Sequence, residues 1–370
     1  MGGTGREAER LARLRAAMEH EGLDAVAIVP GANFYYLTGA SFHLMERPTL
    51  FVVTSEGLVH AVMPVLERSR WQAVAPDAET TYWQDADGYE DAFAALARRI
   101  APARIGVEGQ RMRVFEAEAL RRALPAAAVV DAQAAISGMR LLKDAAEIDA
   151  LRRAIAISEA ALAATLGVAA AGMTETAFRG RLAAEMLDAG ADGLSFEPIV
   201  LAGPASADPH GSASPDRRLE RGQPLLIDYG AAWGGYMADI TRTVFVGAAR
   251  PEHADIYEAV RLANEVGRTV AAPPMTLDAL DRRVTESLRG SGFAELVVHK
   301  TGHGLGLDVH EAPQVMVGNL QPIEAGMVFT IEPGLYREGD IGVRIEDDVL
   351  ATASGATSLT SFERSLTLIG

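Results

Sequence analysis

The chain contains no cysteine. That absence excludes disulfides and thiolate metal sites, and it is compatible with a reducing compartment such as the cytoplasm. No run of about 18 apolar residues occurs, so no membrane span is expected. The amino end, MGGTGREAER, lacks the apolar core of a secretory signal, and Arg6 stands where a myristoylation signal needs Ser or Thr. Basic residues are comparatively few: 34 Lys and Arg face 50 Asp and Glu, a formal net charge of −16. That balance disfavours nucleic acid and anionic membranes as partners. Hydrophobic residues still make up 49% of the 370, which is enough for sizeable cores, and a chain of this length is expected to form two domains.

The pattern along the chain supports that division. Residues 7–21 show helical spacing, with Leu11, Leu14 and Met18 on one face. DAVAIV, TLFVVT, LVHAVM and ARIGVEG read as strands, NFYYLTG as a strand running into a loop, and YEDAFAALARRI and RVFEAEALRRAL as helices. The alternation predicts an α/β domain over residues 1–138. Its loop GASFHLMERP carries His43, Glu46 and Arg47, and reads either as plain surface or as a wall over an active site. From residue 139 the pattern changes. Asp144 and Glu147 form a capping-box pair before a long helix with Ile148, Leu151, Ile155, Leu162 and Leu166 on its apolar face. Further helices are expected after Thr174, over roughly 252–270, and from Leu277 after the break at Pro273-Pro274. Residues 139–370 should lay helices on a largely antiparallel sheet, an α+β arrangement.

The chemistry concentrates in this second part. Asp228 lies in LLIDYG, Asp239 in GYMADITRTV, Glu332 in VFTIEPG and Glu346 in VRIEDDVL. Apolar runs flank Gly234-Gly235, a dipeptide suited to a two-residue hairpin loop. Such a loop sets Asp228 opposite Thr241, with Asp239 its diagonal neighbour on the same face. A second hairpin is expected around REGD, with Glu332 and Glu346 in its two arms. Any one acid in a strand usually faces solvent. Asp228 and Glu332, however, each end an apolar run, where an unpaired carboxylate is costly. Clustered carboxylates repel unless positive charge lies between them. His303 is bracketed by Gly302, Gly304 and Gly306, where backbone can approach closely. Four carboxylates and one imidazole suit two divalent ions of the Mn²⁺, Fe²⁺, Co²⁺ or Zn²⁺ type, which can activate a water against a carbonyl. Of the eight histidines, His253 follows Pro251 in a polar stretch and reads as surface.

The segments DPHGSAS, LLIDYGAAWGGYMADITRTV, HKTGHGLGLDVHEAP, FTIEPGLY and GVRIEDDVL resemble, in order and spacing, the pita-bread metallopeptidases, in particular their Xaa-Pro branch of aminopeptidase P and prolidase. The first domain, with NFYYLTG, is more loosely similar to the creatinase/prolidase N-terminal domain. The resemblance implies a pita-bread catalytic domain over 139–370. It implies that Asp228 holds one metal, that Asp239 and Glu346 bridge two, and that His303 and Glu332 complete the ligand set of the second metal. Glu332 would also be the general acid/base. His210 and His310 would contact the substrate carbonyl and the tetrahedral intermediate. His299 would line the pocket for the residue after the scissile bond. Arg344 and Tyr236 would bind at the site, or be respectively a simple ion pair and a strand aromatic. The implied cofactors are two divalent metal ions, Mn²⁺ foremost, with Co²⁺ or Zn²⁺ as alternatives. The implied partners are short proline-containing peptides and a second copy of the chain, as a homodimer whose N-terminal loop narrows the site.

Three rival readings stay open on these residues. Another enzyme on the same fold, such as a methionine aminopeptidase-like or creatinase-like hydrolase or a lyase, would share several motifs. A binding module retaining the fold would keep the shape without turnover. Chance acids on a structural protein would leave the ordered motifs unexplained. The five intact ligand positions count against a creatinase-like enzyme and a binding module, the α/β first domain against a methionine aminopeptidase, and the five ordered motifs against chance acids.

Overall fold

The computed structural model describes residues 5–370 and divides into two compact units, one ending at Arg140 and one running from Leu141 to Gly370. In the first, helix α1 (Gly5–Glu21) buries Arg10, Leu14 and Met18. The strands are β1 (Ala25–Ile28), β2 (Leu50–Thr54), β3 (Val59–Pro64), β4 (Glu79–Trp83), β5 (Arg104–Val107) and β6 (Ala128–Asp131). They form one sheet in the order β4-β3-β2-β1-β5-β6, parallel except where β2 meets its two neighbours. Helices α2 (Ala32–Thr38), α3 (Arg68–Val74), α4 (Glu90–Ala97), α5 (Val114–Ala123) and α6 (Gln133–Gly138) complete an α/β unit.

NFYYLTG is helix α2, not the expected strand. The segment buries Phe34, Tyr36 and Leu37 together, so no two-residue alternation or helical stripe is visible in its sequence. Tertiary contacts decide instead. Asn33 Nδ2 donates to Glu108 Oε1 at 2.8 Å. Gly39, at φ 70°, closes the helix by donating to the Tyr35 carbonyl, a conformation glycine adopts without strain.

The second unit opens with α7 (Ala145–Leu166). Its capping box forms as expected: Asp144 accepts from the Ala146 and Glu147 amides, and Glu147 accepts from the Asp144 amide. Helices α8 (Glu175–Asp188), α9 (Pro251–Val270) and α10 (Leu277–Arg289) follow, with α8 and α10 capped by Thr174 and Thr276. The strands are β7 (Gly193–Leu194), β8 (Ile199–Ala202), β9 (Pro224–Tyr229), β10 (Ala231–Trp233), β11 (Tyr236–Met237), β12 (Ile240–Val246), β13 (Gly302–Gly304), β14 (Glu311–Val315), β15 (Val328–Ile331), β16 (Gly334–Arg337), β17 (Ile341–Arg344), β18 (Asp347–Thr352), β19 (Gly355–Ser358) and β20 (Leu368–Ile369). Their pairing is antiparallel apart from β12 with β20, giving the expected α+β arrangement. Two apolar cores lie under the helices. Phe178, Leu182 and Ile227 belong to one, and Val260, Phe329 and Ile345 to the other.

Two long hairpins frame the space between these cores. In the first, Trp233 pairs with Tyr236 across Gly234-Gly235, and the same register carries down to Thr241 opposite Asp228. In the second, Arg337 pairs with Ile341, and the register carries down to Asp347 opposite Ile331. Each hairpin is interrupted midway, where its strands pass from one sheet to another. At the first interruption a side chain on Gly230 would sit 1.8 Å from the Ala238 carbonyl oxygen, so only glycine permits the crossing.

Candidate metal centre

The acids sit at those interruptions. Asp228 is in β9 just before the break, Asp239 lies between β11 and β12, Glu332 follows β15, and Glu346 lies between β17 and β18. A strand break frees backbone groups, and the two hairpins satisfy each other there. The Glu346 amide donates to the Thr241 carbonyl at 3.1 Å, and the Asp239 amide donates to Asp348 Oδ2 at 3.2 Å. His303 reaches the same place from β13, which is wedged between β14 and β15. Side chains on Gly302 or Gly304 would lie 2.0 and 2.2 Å from the carbonyl oxygens of Thr330 and Ala312, so the flanking glycines permit the close approach.

The donor atoms converge. Three overlapping groups each place their ligand atoms within 4.8 Å of one another: Asp228, Asp239 and Glu346; His303, Glu332 and Glu346; and Asp239, His303 and His310. The Nδ1 of His303 lies 3.1 Å from the Gly304 carbonyl, which can only accept, so this nitrogen carries the proton. Its Nε2 lone pair then faces Glu332 Oε1 at 3.4 Å and Asp239 Oδ2 at 3.6 Å. Acceptors pointed at acceptors need a positive charge between them. Protonating the ring is unfavourable: burial, then the neighbouring His310, push its pKa down to about 3.

The carboxyls report the same strain. Burial and then the charges of Glu346 and Asp228 raise Asp239 well above the usual range. Burial followed by Glu332 and Asp228 does the same to Glu346, and burial raises Glu332 to about 7. Asp228 Oδ1 and Asp239 Oδ1 are buried without a hydrogen-bond partner. Orphaned oxygens, a lone pair aimed at carboxylates and an oxygen-rich donor set all fit divalent cations.

A polar chain runs outward from Asp228. Arg344 donates through Nη2 to Asp228 Oδ2 at 2.6 Å, through Nε to Thr241 Oγ1 at 3.0 Å, and through Nη1 to the Tyr336 hydroxyl at 2.8 Å. Burial works against its charge, but Tyr336, Asp228, Glu346 and Glu332 outweigh it and its pKa is raised. The Tyr336 hydroxyl lies 2.9 Å from His299 Nε2, while His299 Nδ1 lies 2.7 Å from the Lys300 carbonyl. That carbonyl assigns the proton to Nδ1, so Nε2 accepts from Tyr336. Burial holds the ring neutral, with a pKa lowered to about 4.

A cavity of about 610 Å³ opens over these groups. His210, Asp228, Asp239, His299, His303, His310, Glu332, Arg344 and Glu346 all line it, with Phe196, Ile199, Pro209, Val298 and Val309 as apolar walls. His310 stacks on His303 with ring centroids 3.9 Å apart. Lys300 also lines the cavity and was not singled out from the sequence, although it stands beside His299 in HKTGHG. Tyr336 was missed as well; only its position beyond FTIEPG placed it near the site.

Two expectations are corrected. Tyr236 does not line the cavity. Its hydroxyl donates to Glu147 Oε1 at 2.9 Å, which ties the first hairpin to α7. His253 is not a surface residue: it is 1% exposed, on the inner face of α9, with Nε2 at 3.2 Å from Asp340 Oδ1. Its polar sequence neighbours occupy the outer face of the same helix. In the loop carrying His43, Arg47 makes exposed ion pairs with Glu46 and Asp85.

An acid-rich donor cluster with an imidazole, set in an α+β unit that follows an α/β unit, describes a two-part metallopeptidase. Residues 149–353 match metallopeptidase family M24, residues 10–142 match the creatinase/prolidase N-terminal domain, and the chain belongs to this family. It is 33% identical to a probable dipeptidase PepE of Mycobacterium tuberculosis, over 98% of this chain and 96% of that protein. It is 31% identical to a Xaa-Pro dipeptidase of Pyrococcus furiosus, over 97% of this chain and 99% of that one. Among solved structures, a prolidase from Thermococcus sibiricus superposes with a TM-score of 0.93 at 32% identity, covering 99% of this chain and 100% of that one.

Proposed function

We propose that this protein hydrolyses the Xaa-Pro bond of dipeptides, using two divalent metal ions held by Asp228, Asp239, His303, Glu332 and Glu346. One observation carries the reading: His303 Nε2 faces Glu332 and Asp239 across 3.4 and 3.6 Å, with unpartnered Asp228 and Asp239 oxygens beside it, at the base of a substrate-sized cavity. Divalent ions held there would lower the pKa of a bound water and polarise the scissile carbonyl.

The chain's own groups supply the rest. The Thr330 hydroxyl donates to Glu332 Oε1, and the His303 Nε2 lone pair faces the same oxygen, which leaves Oε2 to take the proton of the attacking water and pass it to the departing proline nitrogen. His210 and His310, lining the cavity, donate to the carbonyl oxygen as its negative charge develops. His299, locked by Tyr336 and its own backbone turn, presents an apolar ring face to the proline. An Xaa-Pro amide has no N–H, so a site that grips carbonyl and termini loses nothing on this substrate. Mn²⁺ is the proposed native ion, with Co²⁺ and Zn²⁺ as substitutes, and the family resemblance supports a homodimer.

Chelation should abolish cleavage of Ala-Pro, and Mn²⁺, Co²⁺ or Zn²⁺ should restore it. Undiminished turnover by protein shown by elemental analysis to be metal-free would sink the mechanism.

A further inference from the structure

The cavity carries two fixed positive charges, and only one is committed. Arg344 spends all three of its guanidinium nitrogens on Asp228, Thr241 and Tyr336 and is 4% exposed. Lys300 is half-buried, lines the cavity, and donates to the Gln314 side-chain oxygen. Among the described residues it forms no ion pair. An ammonium has three N–H donors, so two remain for a ligand. The charge is near enough to act on His303, His310 and Glu332, lowering the pKa of each.

The cation thus stands at the edge of the reacting groups without a carboxylate partner. In an Xaa-Pro dipeptide the single carboxylate sits on the ring carbon bonded to the scissile nitrogen. The other end is an ammonium, which Lys300 repels. We propose that Lys300 receives the C-terminal carboxylate of the substrate, so that the enzyme selects peptides ending at the proline and acts as a dipeptidase. This inference rests on the Xaa-Pro reading. A longer peptide would present a neutral amide to Lys300 and gain no ion pair there. Its continuing chain would have to run past Lys300 into a neighbouring hollow of about 400 Å³ that shares Val298, His299 and Lys300 with the cavity and is also lined by Arg289, Met316 and Val317.

Metal-loaded wild type, K300M and K300R should be compared on Ala-Pro, Ala-Pro-amide and Ala-Pro-Ala, with metal content measured for each. Wild type should favour Ala-Pro by about ten- to a hundredfold in kcat/KM, mainly through KM, the magnitude of one charge-assisted hydrogen bond. K300M should bring the acid-to-amide ratio close to one, and K300R should restore part of the preference. Calorimetry should show L-proline binding more tightly than L-prolinamide to wild type, with the difference lost in K300M. The assignment to Lys300 is overturned if wild type treats Ala-Pro and its amide alike, or if K300M keeps the preference at full metal content. Equal use of Ala-Pro-Ala overturns the dipeptidase assignment. If metal-loaded wild type cleaves none of the three, the Xaa-Pro reading itself falls, and this inference with it.

Discussion

Glu332 is asked to hold a metal with one oxygen and move a proton with the other. Glu332→Gln keeps the shape and removes the basicity, so kcat should fall by about 10²–10⁴-fold while metal content falls far less. Near-normal kcat in the metal-loaded variant would move the proton transfer elsewhere. His303 and His310 separate in a similar way. The Nε2 of His303 points at two carboxylates, whereas His310 lies on the solvent side of its ring. His303→Ala should lower metal occupancy. His310→Ala should retain metal yet lower kcat by roughly 10²–10³-fold, as for a lost oxyanion donor. The donor atoms of Asp239, His303 and His310 also lie close together, so equal metal loss in both variants would make His310 a ligand. At this scale the sequence was informative where local rules act. Gly234-Gly235 fixes the register, and the register fixes Asp228 against Thr241. It was uninformative where a partner comes from a distant element. Nothing near Tyr236 announces that Glu147 will accept its hydroxyl, and nothing near Lys300 announces that Arg344 will be fully occupied.

The elements explain why acids of opposite arms meet at all. A continuous antiparallel pair would send neighbouring side chains to alternate faces and leave the acids strung along a surface. Breaking each hairpin midway, while keeping its register, turns the arms and gathers the acids at the two bends. The hairpins themselves were legible, because Gly-Gly and REGD interrupt apolar runs. The breaks were not, since they depend on contacts between the hairpins, such as Glu346 with Thr241 and Asp239 with Asp348. Helix α2 was misread for a related reason: a short segment that is apolar and aromatic almost throughout shows no periodicity in its sequence. β13 offers a test at this scale. The methyl group of Gly304→Ala would meet the Ala312 carbonyl oxygen at 2.2 Å, forcing β14 away from β13. The variant should lose about 1–3 kcal/mol of stability, the usual cost of overpacking, and bind metal more weakly because His303 moves with its strand. Wild-type Tm and wild-type metal affinity together would show that β13 yields without displacing the histidine.

Over the whole molecule, the cluster couples metal binding to stability through protons. With metal removed, the carboxyls of Asp239, Glu332 and Glu346 hold protons above their usual range, because burial and mutual repulsion disfavour their anions. In the unfolded chain the same groups lose protons near pH 4. Between those limits the folded state binds more protons than the unfolded state, so the contribution of these groups to stability falls as pH rises. For Glu332 the decline runs from about pH 4 to about 7. Bound cations displace those protons and cancel the repulsion, so metal affinity rises with pH over the same interval. Elsewhere the trend opposes this. Burial lowers the pKa of His60 and His253, whose neutral forms favour folding as pH rises towards their unfolded value. Those histidines belong to both metal states and drop out of the difference between them. The gap in Tm between metal-loaded and chelated protein should therefore widen as pH rises from 5 to about 7 at fixed free metal, the range over which Glu332 gives up its proton. Scanning calorimetry on both forms across that range reads the gap directly. A gap independent of pH would mean that the acids are already ionised without metal, and that something other than a bound cation neutralises the cluster.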